Sequence, residues 1–251
     1  MTRRMRLIGF NMVSPSAHHH GMWLHPETQN DLLNPERYEK FARTMEEGFF
    51  DGLFFADSVA LFGGGDPNSV ELSKGVQVGL LDPLALIAIM ARATKHIGLG
   101  ATISTSFLPP YQLARSLATL DVLSGGRIAW NVVTSSSQAE ARNFGMDDLL
   151  PRDERYDRAD EVLEACCALW NSWEDGAFQM DKRTGVCIDP KKVHRVDFKG
   201  KYVSTAGPLN VPRSPQGRPV IMQAGASERG REFAAKWAEI IFTFQHDVDS
   251  M

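Results

Sequence analysis

The alternation of short apolar runs with amphipathic segments constrains this chain most. LIGFNMV (7–13), GLFFADS (52–58), IGLGATIST (97–105), GRIAWNVVTS (126–135), RPVIMQAGAS (218–227) and EIIFTF (239–244) are apolar runs of strand length. Between them lie segments whose apolar residues recur at three- and four-residue spacing, which predicts helices. In 34–52 the stripe is Tyr38, Phe41, Ala42, Met45 and Phe49; in 152–173 it is Ala159, Val162, Leu163, Cys166 and Leu169. Further helices are predicted at 82–94, 110–124 and 227–238. Pro35 and Pro83 suit first helical turns, and Asp82 and Ser227 suit N-caps. Strands alternating with helices predict a parallel sheet with helical crossovers, and near-continuous apolar strands predict burial on both faces. Two architectures satisfy the pattern, an open doubly wound sheet and an eight-stranded α/β barrel. Residues 174–218 break the period with polar, Gly-, Pro- and Lys-rich sequence, and are expected to form an insertion or hairpin excursion.

The 251 residues are 43% hydrophobic and 23% charged, the balance of a globular chain with a sizeable core. A net charge of −4 without like-charge runs argues against nucleic acid or an acidic membrane as partner. No apolar stretch reaches the roughly 18 residues of a membrane helix. Cys166, Cys167 and Cys187 form neither a disulfide framework nor a zinc knuckle, so a reducing, cytoplasmic location is expected.

In either architecture a ligand sits at the C-terminal ends of the strands. Those ends carry Asn11; Asp57 and Ser58; Thr102, Ser104 and Thr105; Asn131 and Thr134 to Ser137; and Gln223, Gly225, Ala226 and Ser227. Hydroxyls, amides and small residues of this kind hydrogen-bond a large neutral or anionic ligand without offering strong bases. Ser227 also precedes a helix whose free N–H groups favour a phosphate. There is no GxGxxG after the first strand, no GxxxxGK[ST] and no GxSxG, which argues against a dinucleotide-binding unit, a P-loop and a nucleophile elbow. The histidine-rich stretch SAHHHGMWLHP (16–26) lacks carboxylate or HExxH partners, so no metal site is expected.

The runs GFFDGLFFADS, ATISTSFLPPYQLARSLATLDVLSGGRIAWNVVTS, RDERYDRADE and RPVIMQAGASERGREFAAKWAEIIFT span most of the chain. Together they resemble the flavin-dependent monooxygenases of the nitrilotriacetate and dibenzothiophene-sulfone monooxygenase type, within the bacterial luciferase-like superfamily. The resemblance implies a TIM-type (β/α)8 barrel, of which six of the eight strands fall within this chain. Residues 1–251 are then a single barrel domain, C-terminally incomplete, with 174–218 as an excursion. It further implies a two-component enzyme that takes reduced FMN from a separate NAD(P)H:flavin reductase. Such an enzyme uses O2 to oxidise a small organic substrate through a C4a-(hydro)peroxyflavin, the protein supplying shape, desolvation and hydrogen bonds. A homo-oligomer is also expected. Two alternatives stand beside this reading: a flavin-binding remnant of the family without strong activity, and an F420-dependent oxidoreductase of the same superfamily.

By position in the resemblance, Asp57 and Thr102 line the flavin, and Asn131 and Thr134 lie beside its ring system. Tyr156, Ala226 and Ser227 reach its phosphate end. Arg152 stands where many relatives have His, and its permanent charge suits a phosphate. His20 and Trp23 wall the substrate side and, with Asn131, are the candidate catalytic residues. The Gly-rich LFGGGDPNS (61–69) is a candidate lid.

Overall fold

The computed structural model describes residues 5–15, 21–61, 66, 68–76 and 79–243. Strand β1 (Ile8–Met12) leads through a 3-10 turn (Met22–Leu24) to helix α1 (Pro35–Glu47). Then follow β2 (Gly52–Ala56), α2 (Val70–Ser73), α3 (Pro83–Ala93), β3 (Gly98–Ser104), α4 (Pro110–Ser124), β4 (Ile128–Val133), α5 (Gln138–Asn143) and α6 (Arg152–Trp170). Two short antiparallel pairs come next, β5 (Phe178–Asp181) with β6 (Val186–Ile188) and β7 (Phe198–Lys199) with β8 (Ser204–Thr205). The chain continues with β9 (Val220–Gln223), α7 (Glu228–Trp237) and β10 (Ile240–Ile241).

Local chemistry accounts for the helix starts. The side chains of Asn34 and Asp82 accept from the N–H two residues on, and each is followed by a proline at the first helical position. Ser227 caps α7 by accepting from the Gly230 N–H. Such a cap is worth about 1 kcal/mol.

Three sequence expectations need correction. Phe49 does not continue the α1 stripe: the helix ends at Glu47, and Phe49 sits at φ 60 with 89% of its surface exposed. Helix α6 stops at Trp170, where Asn171 caps it, and not at 173. Helices α2 and α5 fall in segments for which no element was predicted; neither is long enough to show a helical period.

The chain divides into two compact units, Met1–Ile103 with Ser135–Leu149, and Ser104–Thr134 with Leu150–Met251. In the first, β2 lies between β1 and β3, all parallel, with Leu53, Phe54 and Phe55 buried at its centre. Helices α1 and α3 pack together and bury Ala42, Ile87 and Met90. At the end of α1 the Glu46 carboxylate accepts from the N–H groups of His96 and Ile97, 2.6 and 3.0 Å away, which ties this helix to the entry of β3.

In the second unit β9 lies between β4 and β10, again parallel, with Trp130 opposite Ile221 and Val132 opposite Gln223. Helix α6 packs on both α4 and α7, and its predicted stripe is wholly buried. Trp130 meets Trp170 of α6 edge-on, ring centroids 6.4 Å apart, a contact worth roughly 1 kcal/mol beyond its buried area. The Trp170 indole N–H donates to the Ala114 carbonyl of α4 at 3.0 Å. Both antiparallel pairs lie within 174–218, and Glu161 of α6 anchors the second. Its carboxylate accepts from the N–H groups of Lys201, Tyr202 and Val203 at 2.8, 2.7 and 3.2 Å.

Candidate functional site

In the first unit Asp57 and Ser58 directly follow β2, at the strand end where α/β folds bind ligands. Burial pushes the Asp57 carboxyl up to about 6; the Ser58 N–H works against this, and the negative charges of Asp82 and Glu140 add to it. Its Oδ1 stands against Gly79, beside the Met12 methyl. Thr102 is buried within β3. Trp23 packs by Gly75, and its indole N–H is committed to the Lys74 carbonyl at 2.8 Å, so the ring faces alone remain for a ligand. His20 and most of the candidate lid, residues 62–65 and 67, lie outside the described residues. A groove of about 450 Å³ runs along α1, lined by Asn11, Gln29, Asp31, Arg37, Tyr38 and Phe41 among others. Of its two lining cations, Arg37 and Lys40, Arg37 is already paired, donating to Asp31 at 2.5 Å and to the Gln29 carbonyl at 2.8 Å.

The second unit brings Tyr156, Gln223 and Ser227 together. The Tyr156 hydroxyl, from the first turns of α6, reaches over the turn between β9 and α7. A Cβ on Gly225 would collide with this hydroxyl and with Gln223 Nε2. A Cβ on Gly230 would stand 2.8 Å from the same hydroxyl and 3.0 Å from Ser227 Oγ. Glycine is therefore required at both positions by close approach. The Tyr156 ring is held between Phe233, centroid to centroid 5.5 Å, and the Arg229 guanidinium, 5.7 Å from the ring centroid. Arg229 is itself pinned by Asp157 at 3.1 Å and Asp160 at 2.5 Å, both on α6. The Trp237 indole N–H closes the network onto Asp160 at 2.6 Å.

Asn131 is buried within β4 and Thr134 follows that strand, its carbonyl accepting from the Ser106 hydroxyl at 2.6 Å. Ala226 lies in the turn before Ser227. Arg152, the first residue of α6, is exposed and has no hydrogen-bond or ion-pair partner among the described residues. Gln223 was read from sequence as a strand-end residue, whereas Arg229 was not singled out as a site residue. Two acids three apart on α6, Asp157 and Asp160, were the signal that a cation faces them, and Arg229, partly exposed, is that cation.

This second group fits the phosphate end of a flavin nucleotide. The turn is carved to the backbone by two glycines, a capped ten-residue helix points its N-terminus at it, and two hydroxyls flank it. Gln223, 2% exposed, keeps a buried Oε1 with no partner among the described residues. Leaving such an atom unpaired costs on the order of 1–3 kcal/mol. Elsewhere, among the described residues, no three His, Cys, Asp or Glu side chains are grouped as metal ligands, and no helix is long and apolar enough to cross a membrane. Cys166 is buried, its thiol pushed well up by that burial and close to the Pro110 carbonyl at 3.5 Å.

Residues 11–251 match the family described as luciferase-like monooxygenase. The chain belongs to this family. It is 51% identical over 254 residues to the dibenzothiophene-sulfone monooxygenase of Rhodococcus erythropolis (strain XP), covering 99% of this chain and 55% of that protein. Among solved structures, the long-chain alkane monooxygenase LadA superposes with a TM-score of 0.95 at 44% identity, over 100% of this chain and 58% of that one. The riboflavin lyase RcaE, solved with modified FMN and riboflavin, superposes with a TM-score of 0.88 at 35% identity, over 98% of this chain and 56% of that one. The chain thus spans a little over half the length of these relatives. Its fold is the α/β fold of luciferase-like barrels, with six parallel strands of that barrel present, so the expected family and fold class hold.

Proposed function

We propose that this chain is part of a two-component, flavin-dependent monooxygenase that uses reduced FMN and O2 to oxidise a small organic substrate. The observation that carries the reading is the turn between β9 and α7, where Gly225 and Gly230 clear the backbone beneath the Tyr156 hydroxyl beside the Ser227 cap. Family membership supplies the reaction class, and the FMN named in the riboflavin lyase structure supports the cofactor.

Reduced FMN, when bound, supplies the electrons with which dioxygen is activated. The residues of the chain bind and orient it. Ser227, Tyr156, Ala226 and the N–H groups opening α7 hold the phosphate, and Arg152 adds an exposed cation. Asn131 and Thr134 are proposed beside the flavin ring. In the first unit Asp57 and Thr102 are proposed as further flavin contacts, and His20 and Trp23 as substrate-side residues, Trp23 through its ring. The substrate is a small organic molecule, and a separate NAD(P)H:flavin reductase provides the reduced flavin.

Anaerobic titration with photoreduced FMN and riboflavin tests the binding. FMN is expected to bind at least about tenfold more tightly, because only FMN engages the helix terminus. Adding O2 with a panel of sulfones, aminopolycarboxylates and alkanes tests the oxygenation. Absence of an FMN preference would overturn the assignment of the turn, and an FMN preference without product from any class would overturn the monooxygenase reading.

A further inference from the structure

Arg229 is the second residue of α7, at the helix end where the phosphate is proposed. The helix dipole disfavours a cation there. A direct contact with the phosphate would explain the placement, but the guanidinium is already taken. It donates to Asp157 at 3.1 Å and to Asp160 at 2.5 Å, both on α6. Two carboxylates against one guanidinium leave no net positive charge to offer an anion. Asp160 is in turn fixed by the Trp237 indole N–H at 2.6 Å and by Lys236 at 3.1 Å. So anchored, the guanidinium lies over the Tyr156 ring, 5.7 Å from its centroid, and Phe233, one turn further along α7, meets the same ring at 5.5 Å. Tyr156 is 8% exposed, and its hydroxyl makes no hydrogen bond among the described residues. The groups packed against the ring, and no bond to the phenol oxygen, therefore set where that oxygen stands.

We propose that Arg229 is a positioning residue and not a phosphate ligand: anchored on α6, it holds the Tyr156 ring with its hydroxyl over the turn between β9 and α7, and through that ring it sets the preference for a phosphorylated over an unphosphorylated flavin. This rests on the reading of that turn as the phosphate site. A phenol held there is a ready donor to an anion, and its free hydroxyl has no competing partner to give up. The planar guanidinium matters to this role as much as its charge. A lysine keeps the charge and the pairing with the acids, but it has no flat face to lay on the ring. Arg229→Lys therefore separates a role in holding the ring from a role as a charge.

Two measurements test it, with thermal melts to confirm folding. The first needs no flavin. In protein labelled with fluorotyrosine, the Tyr156 signal is assigned by its absence in Tyr156→Phe. Arg229→Met and Arg229→Lys are expected to shift and broaden that signal and to leave those of Tyr38, Tyr111 and Tyr202 in place. The second compares affinities for reduced FMN and reduced riboflavin at low and high salt. Wild type is expected to prefer FMN. Arg229→Met and Arg229→Lys are each expected to weaken FMN by about fivefold at either salt, with riboflavin within about twofold of wild type. In a Tyr156→Phe background neither is expected to change anything further. Arg229→Met leaves two acids without their cation, and if it fails to fold, Arg229→Lys carries the test. An unmoved Tyr156 signal, full FMN affinity in Arg229→Lys, a loss that shrinks with salt, or a loss that persists in Tyr156→Phe would each overturn the role of Arg229 while leaving the phosphate site in place. A wild type without any FMN preference would instead overturn the site and the preference built on it, while the fluorine signal still reports whether Arg229 holds the ring.

Discussion

Glu140 accepts from the Ser58 hydroxyl and from the Val59 N–H, each at 3.2 Å. A short helix, α5, thereby holds the segment following β2 through a buried carboxylate, next to a second carboxyl, that of Asp57. The arrangement fixes the strand end, and the negative charge of Glu140 adds to the burial that keeps the Asp57 proton in place.

Stability should therefore fall as pH rises through the Asp57 range. The folded chain holds this proton up to about pH 6, whereas the unfolded chain releases it near the ordinary aspartate value of 3.8. Between those values the folded state binds more protons, so the proton's contribution is full at the acid end and is lost by about pH 6. The loss is about 2 kcal/mol after allowing for the partial exposure of Asp57. Asp57→Asn removes it: urea midpoints of variant and wild type should agree near pH 4 and separate in the variant's favour above pH 6. Parallel curves would show that Asp57 titrates normally.

Ser227→Ala should act twice. Loss of the cap on the Gly230 N–H costs about 1 kcal/mol, read as a lower melting temperature. Loss of the hydroxyl should also weaken FMN more than riboflavin. Ser227→Asp restores the cap while placing a negative charge at the proposed phosphate site, so its stability should recover and its FMN affinity should not.

Glu161→Ala should loosen the second antiparallel pair without unfolding α6. Burial raises the Glu161 carboxyl, but the N–H groups of Tyr202, Lys201 and Val203 outweigh it and hold the carboxyl below its usual value. Amide exchange at residues 201–203 should accelerate at least about tenfold in the variant, with exchange in the buried α6 stripe unchanged. In wild type the same three amides should lose protection on acidification, as Glu161 takes up its proton.

Gly230→Ala forces a methyl against the Tyr156 hydroxyl and Ser227 Oγ. Helix propensity alone favours alanine by about 1 kcal/mol, but the methyl would stand 2.8 Å from the Tyr156 hydroxyl and 3.0 Å from Ser227 Oγ, so a lower melting temperature together with a loss of FMN preference is expected. A lower melting temperature with unchanged FMN preference would contradict this assignment.

What the sequence revealed follows from periodicity. The strands and long helices declare themselves because Phe54, Leu99 and the α6 stripe repeat at the period of their element. The Ser227 cap was legible because a side chain that bonds its own neighbours needs no tertiary partner. Helix α5 was not, since six residues with a buried Glu140 in place of an apolar stripe look like a loop until Ser58 and Val59 are seen beside that carboxylate. Phe49 was misread because spacing alone cannot register that the helix has ended and the backbone has turned to positive φ. Arg229 gains its place only from Asp157 and Asp160 of α6, about seventy residues away in sequence, so the pattern around Arg229 itself could not name it.

Gly225 and Gly230 contribute no hydrogen-bonding side chain and no charge, yet the Tyr156 hydroxyl occupies the volume their side chains would take. A saturation screen scored on flavin retention should mark these two positions as intolerant as any polar residue of the turn. Here selection acts on room for a neighbour: a methyl at either glycine would claim the place that the Tyr156 hydroxyl now fills, and the phenol would have to move.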